Sequence, residues 1–321
     1  MSNFYLPEGK LWATYENKEY ISTVQGLEKA MAEGRILEAP VTLCDNEMRL
    51  HVDLYGTVGI IERDEAVYSP SGEPTKDIAV ITRVGKHTCF KVIGFFEENG
   101  RKYAKLSRRL AQLECFHSFV SNLRTGDIIE ARITRLESFG AFLDIGCGLI
   151  SLLSIDSISI SRISHPSDRL SVGMDIWAVV KTIDRDLGRI FLSQKELLGT
   201  WEENASSFSV GQTVAGIIRS VENYGIFIEL APNLAGLAEI RIDSNYDNLE
   251  EYIGQSCAVY IKSIIPERMK IKLVLVDAYK GEYHKAPPKY YIDGNEYTHI
   301  DYWRYSPEYS NKVVESVFDD E

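Results

Sequence analysis

The chain has 321 residues, 45% hydrophobic and 26% charged, with a formal net charge of −12. That length suits two or three soluble domains. No run approaches the ~18 apolar residues of a membrane span, and Met1 to Lys10 lacks the apolar segment of a signal peptide, so a cytoplasmic protein without membrane contact is expected. The five cysteines, Cys44, Cys89, Cys115, Cys147 and Cys257, stand without a CxxC pair, which argues against a zinc site and a disulfide scaffold.

Residues 1–34 read as a lead-in with a short helix over Thr23 to Ala32, where Val24, Leu27, Ala30 and Met31 share a side. This segment is expected to pack on the first domain. Residues 35–110 form a weak repeat: Leu50 to Ala66 reads as its second and third strands and Val84 to Phe96 as its fourth. Leu110 to Leu123 places Leu113, Phe116, Phe119 and Val120 at helical spacing and forms a connector.

Residues 125–196 carry the clearest pattern. Ile129, Ala131 and Ile133 alternate with polar residues, the period of a strand with one apolar face. After Gly140, Leu143 and Ile145 point inward, leaving Phe142 and Asp144 on the face open to water. Gly148 to Leu152 is a short third strand. Ile176, Ala178 and Val180 face inward from a fourth, and Ile190 and Leu192 from a fifth. Five strands without βαβ alternation suit a small closed barrel.

The stretch recurs. Gly126, Phe139, Phe142 and Asp144 map onto Gly211, Tyr224, Phe227 and Glu229 at an offset of 85, and Lys181, Arg189 and Leu192 map onto Lys262, Lys270 and Leu273 at an offset of 81. Such self-similarity marks a repeat, here residues 209–276. Lys195 to Phe208 connects the two copies, with Trp201 packing at the junction. In residues 277–321 Pro287-Pro288 breaks the chain. Asp293-Gly294 is a two-residue hairpin signal, eight tyrosines lie between Tyr279 and Tyr309, and the end is acidic. These tyrosines are expected to pack on the third repeat. The resulting architecture is all-β: three consecutive five-stranded OB-type barrels, short helical connectors and a C-terminal hairpin.

At Gly126, Phe139-Gly140-Ala141-Phe142, Gly148-Leu149, Val172-Gly173 and Arg189-Ile190-Phe191-Leu192-Ser193 the chain resembles the S1 RNA-binding domain, an OB-type repeat named after a protein of the bacterial small ribosomal subunit. The loop Arg162 to Ser167 and Leu198-Gly199-Thr200-Trp201 resemble the inner repeats of that ribosomal protein. The resemblance implies single-stranded RNA, messenger RNA included, as partner, and a place in translation at the small ribosomal subunit. It also implies that Phe139, Phe142, Lys181, Asp184 and Arg189 face RNA, with Tyr224, Phe227, Lys262 and Lys270 as their counterparts. Ser151 stands where the family carries a His. In the third repeat Glu239 takes that position and Ile265 the position of the Asp, so weaker binding is expected there. The first repeat lacks the aromatic pair, with Met48 and His51 near the aligned positions, and such leading repeats of the family often serve protein docking.

The negative charge is uneven: residues 83–109 hold eight basic against two acidic residues, so a local strip can still hold a strand. The six histidines fall singly, and no HExxH, phosphate loop or serine elbow is present. No catalysis, metal, cofactor or small-molecule substrate is therefore expected. The competing reading is an acidic protein-docking module on the ribosome or an RNA-processing complex, supported by the net charge and Glu239.

Overall fold

Two capped helices lead into the first five-stranded sheet. A computed structural model describes residues 5–69, 72, 74–185, 188–239, 249–279 and 287–318. Contacts divide the chain into two compact units: Met1–Leu123 with Asp144–Ser151 and Asp184–Arg189, and Arg124–Leu143 with Leu152–Ile183 and Ile190–Glu321.

In the first unit the Thr14 and Thr23 hydroxyls accept the backbone N–H of Asn17 and Gly26 and so start α1 (Tyr15–Ile21) and α2 (Val24–Glu33). Such caps satisfy amides that a helix start leaves open. α1 carries no helical signal in its sequence. Gly34 ends α2 at φ +66°, a conformation that glycine adopts without penalty. The strands are β1 (Ile36–Cys44), β2 (Leu50–Leu54), β3 (Thr57–Ile61), β4 (His87–Glu98) and β5 (Arg101–Ser107), with α3 (Asp77–Ile81) before β4. Their order is β1-β2-β3-β5-β4 in a closed barrel, and β3 and β5 are parallel. Tyr20, Ile21, Leu27 and Ala30 from the helices join Leu37, Leu50, Phe90 and Leu106 in one core, so the lead-in completes the barrel. The connector is α4 (Arg108–Ser118), capped by Ser107, followed by a single 3₁₀ turn at Val120–Asn122.

The second sheet comprises β6 (Ile128–Glu137), β7 (Gly140–Asp144), β8 (Ile150–Ser154), β9 (Asp175–Asp184) and β10 (Arg189–Ser193). Its order, β10-β8-β7-β6-β9, repeats that of the first sheet around the ring. Every position read as inward, from Ile129 to Leu192, is buried.

The third sheet follows α5 (Trp201–Ala205). Thr200 and Glu203 form a capping box at the start of α5. The strands β11 (Thr213–Glu222), β12 (Gly225–Ala231), β13 (Leu234–Ala238), β14 (Ser256–Ile265) and β15 (Lys270–Ala278) close in the order β11-β12-β13-β15-β14. Trp201 is buried in their core, as expected for the junction.

The C-terminal segment departs from expectation. Asp293-Gly294 does turn, because the Asp293 carbonyl accepts the N–H of Glu296 and Tyr297, but no hairpin closes there. The paired strands are β16 (Tyr302–Arg304) and β17 (Glu315–Val317). Gly294 answers to packing instead: a Cβ on it would run into the Trp177 ring. The tyrosines are also not confined to the third sheet. Trp303 and Tyr305 enter its core, whereas Tyr290, Ile292, Ile300 and Phe318 cover Ile128 and Val179 of the second sheet. Val179 sits on the face that alternation assigns to water, yet it is 0% exposed. Tyr283 and the acidic residues 319–321 lie outside the described residues. No helix among the described residues is long and apolar enough to cross a membrane.

Candidate nucleic-acid interface

Two glycines set the aromatic pairs. At Gly140 an added Cβ would collide with the Leu153 carbonyl oxygen, and at Gly225 it would come within 2.8 Å of the Ala238 carbonyl oxygen. Each glycine therefore lets the second strand of its sheet approach the third closely. The flanking rings then meet outside the sheet. Phe139 and Phe142 lie edge to face with centroids 6.0 Å apart at 88°, and Tyr224 and Phe227 repeat this at 6.2 Å and 90°. Edge-to-face contact is a favoured aromatic geometry. Phe139 is 53% exposed and Tyr224 62% exposed, Phe142 and Phe227 are half-buried, and the next residues along, Leu143 and Ile228, are fully buried. Alternation thus separates core from surface within one step of chain.

The polar candidates lie on the fourth and fifth strands. Lys181 is exposed on β9 and donates to the Ser157 hydroxyl at 3.1 Å. Asp184 ends β9 half-buried, and Arg189 opens β10 exposed. In the third sheet Lys270 is exposed at the start of β15, while Lys262 lies 3.7 Å from the carboxylate of Glu239. That acid partly occupies the cation a phosphate would need. Ser151, at the His position, is buried.

Alternation puts Asp144 beside the aromatics on the wet face, with Glu229 as its counterpart at the offset of 85, and here the structure corrects the sequence. Asp144 is 2% exposed and Glu229 4%, because each receives a segment that packs over it. In the first unit, Asp144 Oδ1 accepts the N–H of Gly146 and Gly148 at 2.8 and 3.0 Å, and Oδ2 accepts the N–H of Glu8 at 2.7 Å. Burial, with the Glu8 charge beside it, pushes the Asp144 carboxyl up to about 7. Glu8 is also buried, which opposes its ionisation, but Arg108 and Arg83 hold it below the usual carboxylate range. Arg108 binds both Glu8 oxygens, at 2.7 and 3.1 Å.

In the second unit Glu229 takes two guanidinium groups, Arg169 at 2.8 and 2.6 Å and Arg219 at 2.7 Å. Two-point contacts of this kind fix a carboxylate firmly. Sequence reading missed Arg169 and Arg219. The offset that paired Glu229 with Asp144 was the one signal that these positions share a task.

Residues 122–195 match the family model of the S1 RNA binding domain. Over 161 residues the chain is 34% identical to the small ribosomal subunit protein bS1 of Staphylococcus aureus (strain COL), which covers 48% of this chain and 40% of that protein. The bS1 protein of Leuconostoc lactis is 32% identical over 158 residues, 48% of this chain and 37% of that protein. The matched region thus spans well under half the length of these curated relatives. Among solved structures, a multidomain protein with nucleic acid binding domains from Streptococcus pneumoniae aligns over 75% of this chain and 73% of its own, at 13% identity and a TM-score of 0.24. The chain carries an S1 RNA binding domain at 122–195 and resembles bS1.

Proposed function

We infer that the chain binds single-stranded RNA through the S1 domain at 122–195 and its copy at 209–276, in the manner of OB-type repeats, and that it acts in translation by holding messenger RNA at the small ribosomal subunit. Phe139 and Phe142 stack bases in the first of these repeats, with Lys181, Asp184 and Arg189 lining the path of the strand. Tyr224 and Phe227, with Lys262 and Lys270, do the same in the second. The observation that carries this reading is the aromatic pair itself, built twice in one geometry beside a fully buried neighbour. Single-stranded nucleic acid presents flat base faces and a charged backbone, and aromatic platforms beside cations suit both. A stacked base contributes ~1–3 kcal/mol, enough to offset a mildly acidic surface at moderate salt.

Titration of the intact chain with a fluorescent single-stranded RNA at two salt concentrations tests it. Binding at low salt that weakens as salt rises is the expected result. Absence of binding at low salt would turn the reading to an acidic docking module for a basic protein, which the Glu239–Lys262 pair also suits.

A further inference from the structure

The first repeat lacks the aromatic pair of the others but carries a different aromatic surface. β4 and β5 meet at Asn99-Gly100, with φ of +52° and +73°, which makes a tight two-residue hairpin. At 12 residues β4 outlasts β9 and β14, each of 10, so the ribbon is longer than its counterparts. On it Phe96 pairs with Tyr103 across the strands, and their rings stack at 5.3 Å and 17°. The Arg101 guanidinium lies over the Tyr103 ring at 5.7 Å, and the Lys102 ammonium over Phe95 at 4.7 Å.

Arg101, Tyr103 and Lys105 alternate with the buried Ala104 and Leu106, so they share the outward face of β5. Most cations of residues 83–109 are already engaged. Arg83 and Arg108 share Glu8, Lys91 meets Glu114, Lys102 meets Glu28 and Arg109 meets Glu65. Among the described residues, Arg101 and Lys105 have no such carboxylate partner. Glu98 stands across from Arg101 in the register but forms no ion pair with it, so two cations without a salt bridge flank a stacked pair of rings on one row of a ribbon. A cross-strand aromatic pair by itself would only brace the hairpin; the unbridged cations on its row are what point to a ligand with planar groups and negative charge.

We propose that the β4–β5 ribbon of the first repeat is a further binding surface for single-stranded RNA, in which bases stack against Phe96, Tyr103 and the Arg101 plane while Arg101 and Lys105 meet phosphates. Arginine planes and aromatic rings both serve as base platforms in RNA recognition, and here they are already assembled. The proposal extends RNA contact to a repeat without the Phe139/Phe142 arrangement and does not depend on that arrangement.

The test uses the full chain, with Arg101→Glu/Lys105→Glu as one variant and Phe142→Ala as the other, both checked by circular dichroism for an intact fold. A single-stranded RNA carrying 4-thiouridine is titrated at several salt concentrations and then photo-crosslinked. The charge reversal is expected to weaken binding roughly tenfold at low salt and to reduce the salt slope by about 1.4, two phosphates at about 0.7 each. Crosslinks are expected on the peptide holding Phe96 or Tyr103. Affinity within twofold of the parent with an unchanged slope, or crosslinks confined to the second and third repeats, would overturn the proposal. Loss on charge reversal together with no change in Phe142→Ala would leave the ribbon standing and remove the reading of the second repeat.

Discussion

The second and third repeats use the same strand position for a carboxylate and put it to different chemistry. Asp144 is held by backbone amides and lies beside another carboxylate, Glu8; Glu229 is clamped between Arg169 and Arg219. Both are buried because a distant segment arrives to cover them. The surroundings differ in kind. Burial and the Glu8 carboxylate favour the protonated form of Asp144 against the backbone amides, which favour the charged one, whereas Glu229 is gripped by two guanidinium groups. One slot in a repeated sheet therefore serves as a fastening point, and its counterpart can change without altering the aromatic pair two residues away.

The largest effect should come from Glu229→Gln. Removing one partner of a buried ion pair typically costs ~3–5 kcal/mol, since the remaining charges are left uncompensated. Asp144→Asn keeps an acceptor and should cost much less near neutral pH. Urea unfolding of the two variants measures the contrast, and equal losses would erase the distinction.

The core-versus-surface division comes next. Leu143→Ala should lower folding stability by ~2–5 kcal/mol, while Phe142→Ala should lower RNA affinity by ~1–3 kcal/mol with little change in the melt. If Phe142→Ala unfolds the protein as severely as Leu143→Ala, and affinity per folded molecule is unchanged, the aromatic pair is packing alone.

A third comparison sets the two pairs against each other. Phe142→Ala should weaken RNA binding more than Phe227→Ala, because Glu239 faces Lys262 in the third repeat and repels phosphate. Glu239→Gln should then strengthen binding, by roughly threefold if one phosphate contact is recovered. A larger loss in Phe227→Ala would reverse the ranking.

The smallest effects are in pH. An acid whose folded pKa is raised stabilises the fold fully below its unfolded value, about 3.9, and loses that contribution as pH rises through about 7. Asp144→Asn should therefore flatten part of the decline in stability across that interval. For His299, burial lowers the pKa, but hydrogen bonds to Asp127 and Asp301 outweigh it and raise the value overall. Its contribution is present below the unfolded pKa and fades as pH rises past the folded one, so His299→Ala should remove a shallow loss of stability above neutrality. Thermal melts across pH read both.

What the sequence revealed follows the range of its signals. Strand alternation is local, so Ile129, Ala131, Leu143 and Ile176 could be placed inward with no knowledge of the rest. The same alternation names a face without saying what lies over it. It assigns Val179, Asp144 and, through the offset, Glu229 to water, whereas Phe318, Glu8 and Arg169 reach them from 139, 136 and 60 residues away in the sequence. Asp293-Gly294 was a true turn but not a hairpin, since composition cannot show that the Trp177 ring requires a glycine there. Of the candidate site, the aromatic pairs were legible from their offset of 85. The stacked Phe96–Tyr103 pair has no counterpart in the other repeats and gave no such signal.

The cover that residues 290–318 place over Ile128 and Val179 also sets a timetable for synthesis. These two apolar side chains belong to a sheet whose five strands are complete once Ser193 has emerged, yet Phe318 follows Ser193 by 125 residues. At 5–20 residues per second that interval is roughly 6–25 s. For that time a nascent chain presents a folded sheet with an oily outer patch, the kind of surface that chaperones retain and that neighbouring chains on a polysome can share.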